Sequence, residues 1–190
     1  MQNSQDLINN KLILGVDPGI RNTGWGIVSY NNHKIDHIAH GSISPPNKNS
    51  DSERLNFIAR ELNEIIKSFN PSFAAIEKIF VNVNSNSILQ LGMARGVAMQ
   101  VIESANLPIT ELAARLVKKS ITGSGSADKS QVKFMIERLL KTSIKGYDAS
   151  DALAVSITGL NFSYKGNIPA GKVSFSKLDQ AIERALIQGN

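Results

Sequence analysis

The stretch Leu12-Ile-Leu-Gly-Val-Asp17-Pro-Gly19 decides how this chain is read. Leu12 to Val16 carry no polar side chain on either alternating face, the pattern of a strand buried on both sides within a sheet. The run ends on a carboxylate, Asp17, and Pro18-Gly19 then turns the chain away. A charged group closing a buried strand needs a physical reason, and the rest of the sequence supplies candidates for it.

Trp25–Tyr30 and Lys34–Ile43 read as the second and third strands, with Asn31-Asn32 supplying a turn between them. Ser44–Asp51 is a loop with two prolines. Leu55, Ile58, Ala59, Leu62, Ile65 and Ile66 then recur at helical spacing, with Ser52 as the expected cap and Asn70-Pro71 as the stop. Phe73–Ile79 is a fourth strand, Ser87–Asn106 a long helix, and Ile109–Leu112 a short fifth strand. Gly123–Ser126 is a joint into a helix bearing Val132, Met135, Ile136 and Leu139, and a last core helix covers Tyr147 to Leu160. The fold class is α/β: three antiparallel-connected strands, then two parallel ones, in a mixed five-stranded sheet with helices on both faces.

The chain has 190 residues, no cysteine and 42% hydrophobic residues, enough for one well-packed domain without disulfides. Residues 1–10 read as a flexible N-terminal extension, 11–160 as the domain, and 161–190 as a tail with a helix over 176–187. The polar start lacks the basic and apolar regions of a signal peptide, and no apolar run approaches the ~20 residues of a membrane helix. A cytoplasmic protein without a membrane partner is expected. The net charge is +5, and its whole excess lies between residues 111 and 145, where eight basic residues face three acids. Such a concentration fits either a solvated helix face or a surface for a polyanion such as nucleic acid.

Three further acids stand beside Asp17 as candidates. Glu77 lies near the end of the fourth strand after Ala74-Ala75-Ile76, so parallel strands one and four would deliver both acids to one sheet edge. Asp148 and Asp151 are three residues apart, about 60° on a helix, and share a face of an otherwise apolar helix. Each alone has a bland reading, as a turn residue or a helix-start acid. Together they would cost several kcal/mol each if buried without cations. With no cysteine or histidine cluster of zinc type, oxygen-ligated Mg²⁺ or Mn²⁺ is the matching ion. Four carboxylates suffice for two ions, the arrangement that serves phosphodiester hydrolysis.

Leu14-Gly-Val-Asp-Pro-Gly-Ile-Arg-Asn-Thr-Gly-Trp-Gly26 resembles the opening of the RuvC family of Holliday-junction resolvases. Ala75-Ile-Glu-Lys-Ile-Phe80, Gln90-Leu-Gly-Met-Ala-Arg-Gly-Val97, Gly123-Ser-Gly-Ser-Ala-Asp-Lys-Ser-Gln131 and Tyr147-Asp-Ala-Ser-Asp-Ala-Leu-Ala154 resemble further signatures in the same order. The resemblance spans about residues 11–160. It implies a ribonuclease-H-like fold, a homodimer, and Mg²⁺-dependent cleavage of opposed strands of a four-way DNA junction with ligatable 5′-phosphate ends. It also implies a branch-migration partner, the RuvA–RuvB complex. By resemblance Asp17, Glu77, Asp148 and Asp151 are the catalytic metal-binding acids, and Phe80 stacks on a base near the junction centre. Lys118 and Lys129 fall at basic positions that handle the DNA backbone or site charge. Arg95, Arg115, Lys119 and Lys133 complete the DNA-binding candidates.

Other readings remain open at this point: a related nuclease for structured RNA, an actin-like ATPase, or a non-catalytic junction-binding module. Gly125-Ser-Ala-Asp-Lys-Ser130 imitates the end of a phosphate loop, but Asp128 stands where that loop needs glycine. Ser126 is the expected helix cap there, with Asp128 supporting the first turn. His33, His37 and His40 lie on one strand, and simple alternation puts His40 opposite the other two, all as solvated residues. Gly92 and Gly96 share a helix face that suits packing on the sheet or a dimer contact.

Overall fold

The computed structural model describes residues 11–31, 34–79 and 86–163. Five strands, β1 (Lys11–Asp17), β2 (Thr23–Asn31), β3 (Lys34–Ile43), β4 (Phe73–Lys78) and β5 (Ile109–Ala113), form one sheet in the order β3-β2-β1-β4-β5. β1 is antiparallel to β2 and parallel to β4, β2 and β3 are antiparallel, and β4 and β5 are parallel. The mixed sheet expected from the sequence is therefore present. β1 lies at its centre, with Ile13, Leu14 and Val16 fully buried.

Helices α1 (Asp51–Phe69) and α2 (Asn86–Ser104) cover one face. α1 presents Ile58, Leu62 and Ile66, one turn apart, to Leu14, Ile27 and Ile76 of the sheet. Helices α3 (Ala114–Thr122), α4 (Lys129–Leu140) and α5 (Tyr147–Ser163) cover the other, where Val117, Ile136 and Leu153 meet Ile13, Val28 and Ala75. The last helix runs three residues past the domain end expected at 160. The expected helix over 176–187 and the N-terminal extension lie outside the described residues.

Four local readings change. The cap of α1 is Ser50 rather than Ser52: its hydroxyl accepts from the Glu53 N–H, and Glu53 accepts from the Ser50 N–H in return. Asp128, not Ser126, caps α4 in the same reciprocal way with Gln131. α3 was not expected, because its nine residues carry Arg115, Lys118 and Lys119 around only two buried positions, Val117 and Ile121. Finally, β3 is bulged: Ile27 pairs with Ala39 and Val28 with His37, leaving Ile38 unpaired. The extra residue resets the alternation, so His40 shares a face with His37 and their ring nitrogens meet at 2.7 Å.

The feature that positions the acids is how α5 lies on the sheet. A Cβ on Gly24 of β2 would collide with the backbone carbonyl of Asp148, and one on Gly15 of β1 with that of Ala152. The backbones touch where side chains would otherwise hold them apart. Gly24 is also the strand partner of Asp17. The start of α5 is thereby seated directly against the end of β1. Replacing Gly24 by Ala should force α5 outward, destabilising the chain by about 2–3 kcal/mol and lowering its melting midpoint by roughly 5–10 °C. A calorimetric scan checks this, and an unchanged midpoint would show that the contact is not needed.

Candidate active site at the carboxyl edge of the sheet

Asp17 ends β1, and Glu77 lies next to it near the end of β4, because Val16 pairs with Ile76 in parallel register. Asp148 and Asp151 arrive from the first turns of α5. Four acids from three separate elements therefore gather at one edge of the sheet, as the sequence led one to expect. All four are half-buried.

Their proximity is visible in their protonation. Burial pushes the Asp17 carboxyl up to about 7, and the charges of Glu77, Asp151 and Asp148 push the same way, against the pull of Lys129. Glu77 is also raised, by burial and then by Asp151, with Lys129 and Lys118 opposing. Burial is the larger cause in both, and the neighbouring carboxylates add to it because the counter-charge beside them is insufficient. One cation is already in place: the Lys129 ammonium lies 3.0 Å from Asp151. Burial alone would lower the Lys129 pKa, but its hydrogen bond to Asp151 and the charges of Asp151, Asp17 and Asp148 outweigh that and raise it.

Hard oxygen donors with surplus negative charge fit Mg²⁺ or Mn²⁺. Among the described residues, no three His, Cys, Asp or Glu side chains are drawn into a ready ligand set. The acids form an open cluster that a cation would have to draw together.

The basic candidates separate into different environments. Lys118 of α3 and Lys129 of α4 flank the acids, each felt by Glu77. Arg115 and Lys119 are exposed on α3, and Lys133 follows Lys129 by one turn of α4. Arg95 is occupied within the chain: its Nε donates to the Glu77 carbonyl at 3.1 Å, and its Nη2 pairs with Glu111 of β5. That guanidinium braces the strand that carries Glu77, a role the sequence did not reveal. Phe80 lies outside the described residues. Two exposed aromatic side chains were also missed, Phe134 beneath Arg138 and Tyr147 beneath Lys133. The only sequence signal for Tyr147 was its place immediately before Asp148.

The family model for the crossover junction endodeoxyribonuclease RuvC matches residues 13–159. The chain belongs to the RuvC family. A RuvC of Xanthobacter autotrophicus is 47% identical over 152 residues, 80% of this chain and 90% of the relative. One from Caulobacter vibrioides is 45% identical over 150 residues, 78% and 89% of the two chains. Among solved structures, Thermus thermophilus RuvC in complex with a Holliday junction substrate superimposes with a TM-score of 0.74 at 24% identity, covering 82% of this chain and 96% of that one. The fold is thus ribonuclease-H-like, as the resemblance implied.

The raised Asp17 gives a pH signature for RuvC protein freed of metal by a chelator. Its folded pKa of about 7 exceeds the unfolded value of 3.8, so between these the native state holds a proton that the unfolded chain has released. This group's stabilising contribution is full below pH 4, falls as pH rises through this window, and levels off above 7. Asp17→Asn should flatten that slope and raise the melting midpoint at pH 8 by roughly 5 °C. Superimposable pH–stability curves for the two proteins would refute the coupling.

Proposed function

We propose that this RuvC chain cuts opposed strands of a four-way DNA junction by metal-ion hydrolysis, one four-acid site per protomer of a symmetric homodimer. The observation that carries this reading is the convergence of Asp17, Glu77, Asp148 and Asp151 at one sheet edge with Lys118 and Lys129 beside them. The four acids would hold two Mg²⁺ ions, with Mn²⁺ as a substitute. Bound there, the ions supply a water of lowered pKa and stabilise the leaving 3′ oxygen, leaving 5′-phosphate ends that ligase can seal.

The chain's own residues do the rest. Asp17 and Glu77 are fixed by adjacent strands, and Asp148 and Asp151 by a helix seated on those strands, so the acids can be presented as one rigid set. Lys129, paired with Asp151 at 3.0 Å, would be released toward a phosphate oxygen with the acids' charge met by bound ions. Lys118 faces the same phosphate from α3. Arg115 and Lys119, exposed on that helix, extend the positive track along the DNA backbone.

A dimer is supported by α2. Among the described residues, a Cβ on Gly92 or Gly96 would meet nothing, and Leu89 on the same helix is 65% exposed. These glycines do not serve packing on the sheet, and their open face suits close approach of a second α2. An isologous dimer presents two identical sites to a junction of approximate two-fold symmetry. The nuclease domain is residues 11–160, it works in the cytoplasm, and it takes over junctions from the RuvA–RuvB branch-migration complex. Among the described residues, no helix is long and apolar enough to cross a membrane.

Asp17→Asn and Glu77→Gln should each reduce cleavage of a synthetic four-way junction by at least ~10³-fold in Mg²⁺, with junction affinity changed less than about threefold. Gel assays of cutting and binding on one substrate decide the matter. Variants that cut at wild-type rate, or a wild-type protein that leaves the junction whole and cuts structured RNA, would overturn the reading. Gly96→Glu should convert a dimer to monomer in light scattering.

A further inference from the structure

We propose that Tyr147 and Lys133 form a strand-guiding pair beside the four acids, with Lys133 holding the phosphate next to the scissile one and Tyr147 fixing where Lys133 sits. The inference rests on the junction-cutting reading above and adds to it the path of the cut strand over the seam between α4 and α5.

Tyr147 is the first residue of α5 and is 47% exposed, although every residue from Ala152 to Leu160 of that helix is buried. A large ring left in solvent at the rim of a carboxylate cluster is not serving the core. The Lys133 ammonium lies 5.7 Å from the ring centroid, within range of a cation–π contact.

The placement of this pair follows from two antiparallel helices. Lys129 of α4 faces Asp151 of α5 at 3.0 Å. One turn further along α4 is Lys133, and one turn back along α5 is Tyr147. The guiding pair therefore lies about 6 Å from the metal-facing pair, four residues at 1.5 Å each. That separation is on the scale of the through-space spacing between adjacent phosphates of one strand, so the step spans one phosphate. A strand with its scissile phosphate at the acids would have a neighbouring phosphate at Lys133.

Lys133 is only loosely engaged within the chain. Glu137, one turn on, forms a long ion pair with it at 4.0 Å and also accepts from the Ile144 N–H at 2.9 Å, which divides that carboxylate between two partners. The ammonium thus stands between a long ion pair and an aromatic face, oriented with only part of its charge matched. Tyr147 is on this account a positioning residue, acting through Lys133.

The test maps incision at nucleotide resolution on a synthetic four-way junction in Mg²⁺, using Tyr147→Ala, Tyr147→Leu, Tyr147→Phe and Lys133→Gln. Junction binding is measured in parallel across a salt series in EDTA. Tyr147→Ala and Tyr147→Leu should lower kcat about 10- to 30-fold and spread incision over adjacent phosphates, with affinity within about threefold. Tyr147→Phe should keep the incision position and lose less than about fivefold. Lys133→Gln should reduce the slope of log affinity against log salt by about one. Tyr147→Leu retains apolar bulk, so agreement between it and Tyr147→Ala excludes simple misfolding. Unchanged incision sites and rates in both, or an unchanged salt slope for Lys133→Gln, would overturn the pair's role. If the wild-type protein does not cut the junction at all, the underlying function fails, and the salt-series comparison still reads the contact at Lys133.

Discussion

Helix α5 lies on the sheet with almost nothing between the two backbones. The carbonyl of Asp148 occupies the space where Gly24 would carry a side chain, and the carbonyl of Ala152 does the same at Gly15. Because interiors are close-packed, this contact fixes the helix to a fraction of an ångström rather than letting it ride on a layer of flexible residues. It also fixes direction: the first turn of α5 falls over the carboxyl end of β1. Strand acids and helix acids become neighbours through a backbone contact, and the site inherits that rigidity.

The cost is electrostatic. Burial at the sheet edge raises the proton affinity of Asp17 and Glu77, and neighbouring carboxylates add to it, Glu77 and Asp151 on Asp17 and Asp151 on Glu77. The surrounding chain is organised to oppose that charge without extinguishing it. Lys129 and Lys118 reach the acids from α4 and α3, and Arg95 is kept away from them, braced between the Glu77 carbonyl and Glu111. Four acids facing two lysines leave the cluster with surplus negative charge. The +5 of the whole chain comes from residues 111–145, which hold α3 and α4, while the four acids belong to the charge-balanced remainder.

Much of this was legible because it is written in contiguous runs. Leu12–Val16 shows burial on both faces, Ala74-Ala75-Ile76 shows a second such strand, and a carboxylate next to each stands out against them. What the sequence hid depends on contacts distant along the chain or on small departures from periodicity. One unpaired residue, Ile38, reverses the side on which His40 emerges. The charges of α3 conceal two buried positions, and the partner that occupies Arg95 comes from a strand sixteen residues away. Gly15 and Gly24 were visible as letters, but their meaning required the helix that fills their space. Tyr147 sat in plain view beside Asp148 and was uninformative until its ring proved to lie in solvent under a lysine.

The joining of strand and helix acids into a single metal site is most directly tested by anomalous diffraction from crystals of the protein soaked in Mn²⁺. Manganese bound jointly by Asp17 at the end of β1 and by Asp148 or Asp151 of α5 is the predicted result, with Lys129 displaced from Asp151. Manganese held by the helix acids alone, with Asp17 uninvolved and Lys129 still paired, would contradict it.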